Sequence, residues 1–154
     1  MRVLVLCTGN SARSQMAEGL IRHLAGGRVE VHSAGTAPAG LHPLAVRAMG
    51  EIGIDISHHR SKSLREFWGQ PFDLVLTVCD AANEACPTFP GASERRHYGV
   101  DDPAAAIGSE DARLQAFRRA RDVLHGVIER LLRERNLLGV EDRGADRQGA
   151  DTRE

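Results

Sequence analysis

The residues with the clearest chemical potential lie near the N-terminus, where Arg13 follows Cys7 by six positions. The residues between them are small enough for successive backbone N–H groups to turn toward one bound anion. The guanidinium of Arg13 offers two parallel donors to a tetrahedral oxyanion, and the same donors would stabilise Cys7 as a nucleophilic thiolate. The stretch therefore predicts an attacking thiol beside an oxyanion site. The predicted binding residues are Thr8, Gly9, Asn10, Ser11, Ala12, Arg13 and Ser14.

A simpler interpretation of this stretch stays open on the residues alone. Cys7 could be a small buried apolar residue, since cysteine is common in protein cores, and Arg13 could be an exposed helix residue. The nucleophile interpretation gains weight from position, because Cys7 ends an apolar run and Ser14 begins a helical pattern. Parallel α/β sheets bind their ligands at such a strand end. Either Ser11 or Ser14 could hydrogen-bond the sulfur.

Two further cysteines, Cys79 and Cys86, lie seven residues apart. An odd total of three, in a chain with no recognisable export signal, favours thiol chemistry or metal binding over a structural disulfide framework. On one intact helix their Cα atoms would be roughly 10 Å apart, whereas a disulfide needs about 7 Å or less, so the segment would have to unwind. Two unrelated cysteines are the alternative. A zinc site with Cys7 and His97 is conceivable, although this spacing is not typical of zinc ligands.

These side chains must be held by the elements around them, and the hydrophobic pattern indicates which ones. Short apolar runs that alternate with amphipathic helical segments predict a parallel α/β sheet with right-handed crossovers. Asp80 is expected to cap a short alanine-rich helix between the two downstream cysteines. Strands are predicted at residues 3–6, 29–32, 72–78 and 95–98, and helices from residue 14 and at 43–49, 63–68 and 112–133.

Length and composition bound the class of protein. The 154 residues fit one domain, predicted at residues 1–136, followed by a polar, glycine-dotted tail at 137–154 that is expected to be disordered. The formal net charge of −1 gives no field that would recruit nucleic acid or an anionic membrane. With no apolar stretch of about 18 residues and no secretory leader, we expect a cytoplasmic protein.

Five segments give the chain a family resemblance. They are CTGNSARSQMAEG at 7–19, HSAGT at 32–36, HPLAVRAMGEIGIDISHHRSK at 42–62, DLVLTVCD at 73–80 and HYGVDDPA at 97–104. Together they resemble the low-molecular-weight protein tyrosine phosphatase superfamily, which includes thioredoxin-coupled arsenate reductases. The similarity covers about residues 1–132 and implies a flavodoxin-like α/β fold, a single four-stranded parallel sheet flanked by helices.

The resemblance also implies a reaction. Cys7 would attack arsenate, Cys79 would then attack Cys7 and release arsenite, and Cys86 would take over the disulfide for reduction by thioredoxin. Phosphate and sulfate would bind as analogues of arsenate. The scheme needs no bound cofactor and no metal, and a monomer is expected.

By the same resemblance, Asp102 would be the general acid that protonates the leaving oxygen. It stands directly before Pro103, in a predicted turn. On the sequence alone, the commoner role for such an aspartate is to shape the turn with its own side chain. Asp101 is a weaker candidate for the acid.

Two residues depart from the family pattern. Related tyrosine phosphatases commonly carry an aromatic residue after the Asp-Pro pair, where Ala104 stands here, and this weakens a phosphotyrosine interpretation. Ala12 stands where many relatives carry a second loop cysteine. Cys7 can therefore pair only with Cys79 or Cys86.

A third departure concerns potassium, which some arsenate reductases of this family bind through an asparagine, a glutamate, a serine and an aspartate. Asn10, Glu18 and Ser33 match the first three, whereas the fourth position holds Lys62. We expect the ammonium of Lys62 to occupy the place of the ion near Glu18. Activity should then be insensitive to potassium.

Three functions remain in competition at this point. The first is a thioredoxin-dependent arsenate reductase with weak phosphatase side activity. The second is a low-molecular-weight phosphatase that hydrolyses phosphomonoesters through a phosphocysteine at Cys7. The third is a non-catalytic protein that binds arsenite or a metal through its three thiols.

Overall fold

The computed structural model describes residues 1–85 and 89–139. Within these residues, four strands and four helices follow one another, joined by turns and short 3-10 segments. The strands are β1 (Arg2–Cys7), β2 (Glu30–Gly35), β3 (Leu74–Thr77) and β4 (Arg95–His97). The helices are α1 (Arg13–Ala25), α2 (Pro43–Gly50), α3 (Asp80–Ala85) and α4 (Glu110–Glu134), and the 3-10 turns are Gly26–Arg28, Leu64–Glu66 and Pro103–Ala105.

The strands form one sheet in the order β2-β1-β3-β4, and every neighbouring pair is parallel. This confirms the predicted four-stranded parallel sheet flanked by helices. Cys7, the last residue of β1, pairs with Gly35 at the end of β2, and β3 ends at Thr77 beside Leu6. The carboxyl ends of three strands therefore meet at one edge of the sheet, where parallel sheets bind ligands.

Strand β1 is buried on both faces, as expected for the centre of a parallel sheet. Val3 and Val5 pack into a large apolar cluster with side chains of α1, α2 and α4. Leu4 and Leu6 point the other way into a smaller cluster that contains Phe72. The alternation of side chains along a strand accounts for this division.

Helix α4 begins two residues before its predicted start because Ser109 caps it, accepting a hydrogen bond from the backbone of Ala112. The predicted helix at 63–68 is only a 3-10 turn, capped by Ser63. Among the described residues, no helix combines the length and the apolar content needed to cross a lipid bilayer.

The packed part of the chain extends past residue 136, where the sequence predicts the end of the domain. Leu138 is only 2% exposed, and the backbone N–H of Gly139 donates to the carbonyl of Leu24 at 2.7 Å. Leu137 also packs against the large cluster. These apolar contacts offset the cost of ordering the segment after α4. Residues 140–154, which make up most of the predicted tail, lie outside the described residues.

An ion-pair cluster joins the end of α2 to α4. The carboxylate of Glu51 accepts hydrogen bonds from Arg118 at 2.5 Å and from Arg121 at 3.1 Å. The hydrogen bond from Arg118, more than that from Arg121, lowers the pKa of Glu51 from its ordinary value of 4.5 to about 2. Because the folded-state pKa is the lower one, this stabilisation is present above about pH 4.5 and is lost as the pH falls toward 2.

We therefore expect Glu51→Gln to lower the Tm at neutral pH by a few degrees at most, since the carboxylate is solvent-accessible. The difference in Tm between Glu51→Gln and wild type should become smaller as the pH is lowered from 5 toward 2, as measured by circular dichroism melts. Glu129→Gln, which removes an ion pair within α4, is the matched control. A Tm difference that stayed constant across that pH range would contradict the lowered pKa assigned to Glu51.

Candidate active site

The loop between β1 and α1 is shaped around the side chain of Asn10, which is completely buried. Its φ of +47° places it in the left-handed region, where asparagine is tolerated better than most residues. Its Oδ1 accepts from the backbone N–H of Lys62 at 2.8 Å, and its Nδ2 donates to Ser14 Oγ at 2.8 Å and Ser33 Oγ at 2.9 Å. Asn10 thus ties the loop to α1, to β2 and to the segment after α2.

Strand β2 passes close behind the same loop at Gly35. A Cβ at this position would lie 2.5 Å from the carbonyl oxygen of Thr8 and 2.9 Å from the backbone nitrogen of Asn10. The backbone of Ala37 also donates to the carbonyl of Thr8 at 2.8 Å. The loop is therefore supported along its back by the end of β2.

The sulfur of Cys7 lies 2.8 Å from Ser14 Oγ, so Ser14 is the serine that contacts it. Cys7 is 2% exposed and sits where the strand enters the loop. Ser14 also receives the amide of Asn10, which leaves its hydroxyl proton free to point toward the sulfur. The Ser14 hydroxyl can therefore donate to the Cys7 sulfur and hold it in place at the start of the loop.

Arg13 is the first residue of α1, and its side chain extends toward the segment that follows β4. One terminal nitrogen donates to the carbonyl oxygen of Val100 at 2.8 Å, and the other lies 3.9 Å from Asp102 Oδ2. Its side chain is only 15% exposed. Asp102, which is far from Cys7 and Arg13 in sequence, is thereby brought to the same edge of the sheet.

The two carboxylate oxygens of Asp102 have different partners. Its Oδ1 accepts from the backbone N–H of Ala104 at 3.0 Å and so caps the short 3-10 turn that starts at Pro103. Its Oδ2 faces Arg13, and about half of the side chain is exposed. A cleft of about 580 Å³ opens beside Asp102 and is lined in part by Asp101 and Arg119.

Cys79 follows β3 and reaches the same edge. Its side chain is buried, and its sulfur lies 3.4 Å from Thr8 Oγ1 and accepts from the backbone N–H of Ala82 at 3.4 Å. Cys79, and not Asp80, is therefore the residue that caps α3, since Asp80 is already the first helical residue. The predicted third thiol, Cys86, lies outside the described residues.

Behind the loop, Glu18 is the centre of a buried charged cluster. Ser33 donates to its Oε1 at 2.5 Å, Arg22 to its Oε2 at 2.7 Å, and Lys62 Nζ lies 3.9 Å away. Burial raises the pKa of Glu18, but the hydrogen bonds from Ser33 and Arg22, and the charges of His59 and Lys62, outweigh it and hold the pKa below its usual value. Burial lowers the pKa of Lys62, against the attraction of Glu18.

Two members of this network are not identified from the sequence. Gln15 donates to the backbone and side-chain oxygens of Asn10, and its Oε1 lies 2.9 Å from Nδ1 of His59. His59 has only 5% of its side chain exposed, and burial lowers its pKa. Glutamine and histidine are common on protein surfaces, so neither residue carries a local signal of this role.

No metal centre is formed by the residues that the structure describes, since no three histidine, cysteine or acidic side chains come together in a suitable cluster. His97, which the sequence allows as a zinc ligand, instead contacts Thr77 Oγ1 through Nδ1 and Asp80 Oδ1 through Nε2, each at 2.7 Å.

Comparison with known proteins adds independent findings. The family described as low molecular weight phosphotyrosine protein phosphatase matches residues 2–139. An arsenate reductase of Halalkalibacterium halodurans is 48% identical over 120 residues, which are 78% of this chain and 86% of the relative.

Two solved structures are also similar. One is described as an arsenate reductase in the phosphate binding state. Its TM-score is 0.75 at 30% sequence identity, and the match covers 86% of this chain and 97% of that structure's chain. A thioredoxin-dependent arsenate reductase of Corynebacterium glutamicum has a TM-score of 0.65 and 29% identity, over 86% of this chain and 60% of its own.

Proposed function

The chain belongs to the low molecular weight phosphotyrosine protein phosphatase family, as its motifs predict, and from this premise we propose that it is a thioredoxin-dependent arsenate reductase. The observation that carries the proposal is the second thiol at the loop. Cys79 Sγ lies 3.4 Å from Thr8 Oγ1, in the residue that directly follows Cys7. A phosphatase using only Cys7 has no need of this neighbour, whereas a reductase must deliver two electrons.

In the first step the loop binds arsenate with its backbone N–H groups and with Arg13. The Cys7 thiolate attacks arsenic, an S–As bond forms, and one oxygen leaves as water after taking a proton from Asp102. Arsenic remains As(V) in this adduct. Phosphate and sulfate, which have the same tetrahedral shape, bind as analogues.

The reduction follows by thiol exchange. The Cys79 thiolate attacks the Cys7 sulfur, a Cys7–Cys79 disulfide forms, and the S–As bond breaks with its electron pair on arsenic, which leaves as arsenite. Cys86 then attacks Cys79, forming the Cys79–Cys86 disulfide and returning Cys7 as a thiolate. A dithiol protein of the thioredoxin type reduces that disulfide.

In this scheme two electrons pass from thioredoxin to arsenic through sulfur alone, so no bound cofactor takes part. The enzyme is proposed to act as a monomer in the cytoplasm, where thioredoxin keeps protein thiols reduced. The proposed domain extends at least to residue 139, because Leu137 and Leu138 pack against the large apolar cluster.

A phosphatase of the same family is the second candidate, because the oxyanion loop suits phosphate as well as arsenate. Ala104 argues against phosphotyrosine, since no aromatic side chain follows Pro103 to stack on a substrate ring. Some hydrolysis of p-nitrophenyl phosphate is nevertheless expected from Cys7, Arg13 and Asp102.

The decisive experiment measures NADPH consumption by the purified protein with arsenate, thioredoxin and thioredoxin reductase. We expect continuous turnover in wild type and a single turnover at most in Cys86→Ser, because its Cys7–Cys79 disulfide cannot be passed on. Rapid p-nitrophenyl phosphate hydrolysis without NADPH consumption would instead establish the phosphatase. Stoichiometric uptake of arsenite with neither activity would establish a binding protein.

Lys62 leads to a separate prediction about potassium. Its ammonium lies 3.9 Å from Glu18 Oε1 and donates to the carbonyl oxygen of Arg60 at 2.9 Å, so a cation already faces the Glu18 carboxylate. We expect arsenate reduction to be equal in potassium and sodium chloride of the same ionic strength. Lys62→Asp, which removes the ammonium and adds a second carboxylate, should make activity respond to potassium. Clear stimulation of the wild-type enzyme by potassium would refute this assignment.

A further inference from the structure

One histidine bridges the two residues that flank the segment of Cys79. His97 ends β4, and its Nδ1 lies 2.7 Å from Thr77 Oγ1, at the end of β3. Its Nε2 lies 2.7 Å from Asp80 Oδ1, in the first residue of α3. We call these three side chains the Thr77–His97–Asp80 clamp.

The clamp brackets Cys79 along the backbone, because only Val78 and Cys79 lie between its two anchoring residues. Both of these are fully buried or nearly so. A backbone movement that carried Cys79 away from Thr8 would also displace Asp80 and break its contact with His97. The imidazole thereby restrains the position of the backbone segment that carries Cys79.

The backbone between β4 and Asp102 packs against the clamp at Gly99. A Cβ at this position would lie 2.8 Å from Asp80 Oδ1 and 3.4 Å from His97 Nε2. The backbone therefore approaches the carboxylate–imidazole pair closely, which limits the conformations open to both side chains. The backbone of Gly99 thus covers the pair on one side, whereas the Asp80 side chain is otherwise 81% exposed.

We propose that the Thr77–His97–Asp80 clamp positions Cys79 for its attack on Cys7. This inference rests on the proposed reductase function. The attacking sulfur must approach Cys7 in line with the S–As bond, so that the new S–S bond forms as that bond breaks and its electron pair leaves with arsenite. Alignment of this kind is worth a large factor in rate, because even a displacement of about 1 Å can cost about 100-fold. Asp80 and His97 are positioning residues and touch no reacting atom.

The test is a burst experiment on the reduced full-length protein, with arsenate and no reductant. For Asp80→Ala we expect the same final amount of arsenite per chain as wild type, released about tenfold more slowly. Asp80→Asn, which keeps an oxygen in reach of His97, should restore most of the rate. The double variant Asp80→Ala/His97→Ala should be no slower than Asp80→Ala, because the two residues act through one contact.

Two controls separate positioning from general damage. Glu94→Ala removes the ion pairs of Glu94 with Arg96 and Arg135, just before β4, without touching α3, and its burst should match wild type. Hydrolysis of p-nitrophenyl phosphate, which uses Cys7 and not Cys79, should be unaffected by Asp80→Ala. A burst as fast as wild type in Asp80→Ala, or an equal fall in both activities, would overturn the proposal.

If the wild-type protein released no arsenite, the reductase function itself would be refuted. A second measurement tests independently of that function whether the clamp restrains Cys79. The alkylation of Cys79 by iodoacetamide is followed by peptide mass spectrometry in the absence of substrate. Because the sulfur is buried, we expect slow alkylation in wild type and severalfold faster alkylation in Asp80→Ala. Equal rates in the two proteins would mean that the clamp does not hold Cys79.

Discussion

Replacing Cys79 by serine is expected to abolish arsenate reduction while the hydrolysis of p-nitrophenyl phosphate continues near the wild-type rate. The loop, Arg13 and Asp102 remain, so the oxyanion still binds and Cys7 still attacks it. Serine has nearly the shape of cysteine and can keep the contacts with Thr8 and Ala82, but its hydroxyl cannot form a disulfide. The adduct at Cys7 can therefore only hydrolyse back to arsenate.

Two measurements test whether Cys79→Ser loses arsenate reduction. NADPH consumption in the thioredoxin-coupled assay should fall to the background of Cys7→Ser, which lacks the nucleophile. Free-thiol titration after arsenate treatment should show no loss of thiols in Cys79→Ser. Thioredoxin-dependent turnover that persisted in Cys79→Ser would exclude Cys79 from the reaction and would remove the main support for a reductase.

Replacing Arg13 by lysine is expected to lower kcat/KM by about 10²–10³-fold for arsenate and for p-nitrophenyl phosphate alike. Lysine keeps the positive charge but loses the planar pair of donors that matches two oxygens of the anion. It also loses the simultaneous contacts with the Val100 carbonyl and with Asp102, which hold the proposed acid at the loop. Both binding and protonation should therefore suffer.

Steady-state kinetics with both substrates measure the loss, and inhibition by inorganic phosphate measures binding directly. Arg119→Lys, a matched change in the cleft beside Asp102 but away from the loop, should leave both activities close to wild type. If Arg13→Lys weakened one substrate alone, the two reactions would not share a single oxyanion site.

Much of the fold, and the part of the candidate site formed by Cys7, the anion loop and Arg13, could be predicted because their signals are local. An apolar run that ends in Cys7, small residues and Arg13 at the start of a helical pattern together indicate a strand, an anion loop and a helix. The carboxyl-end rule for parallel sheets then places this loop at the ligand edge. The four-stranded sheet and the family follow from motifs of the same local kind.

The remainder depends on which segments meet across the fold. The contact between Thr8 and Cys79 exists because β3 lies directly beside β1, and no spacing within either segment encodes that distance. The cap of α3 was predicted to be Asp80, since carboxylates are the commoner caps, but the adjacent sulfur takes the position and leaves Asp80 for His97. The first contact depends on long-range strand pairing, and the second on a choice between two adjacent residues that the sequence alone does not decide.

The close approach at Gly35 has a consequence for how the family can vary. Any side chain there would press on the Thr8 carbonyl at 2.5 Å and so deform the anion loop from behind. Gly27 and Gly50 have open space around the same position and can accept other residues. Glycines of this chain therefore differ in the substitutions that they tolerate: at Gly35 the end of β2 and the anion loop constrain each other, and a larger side chain there is expected to weaken anion binding.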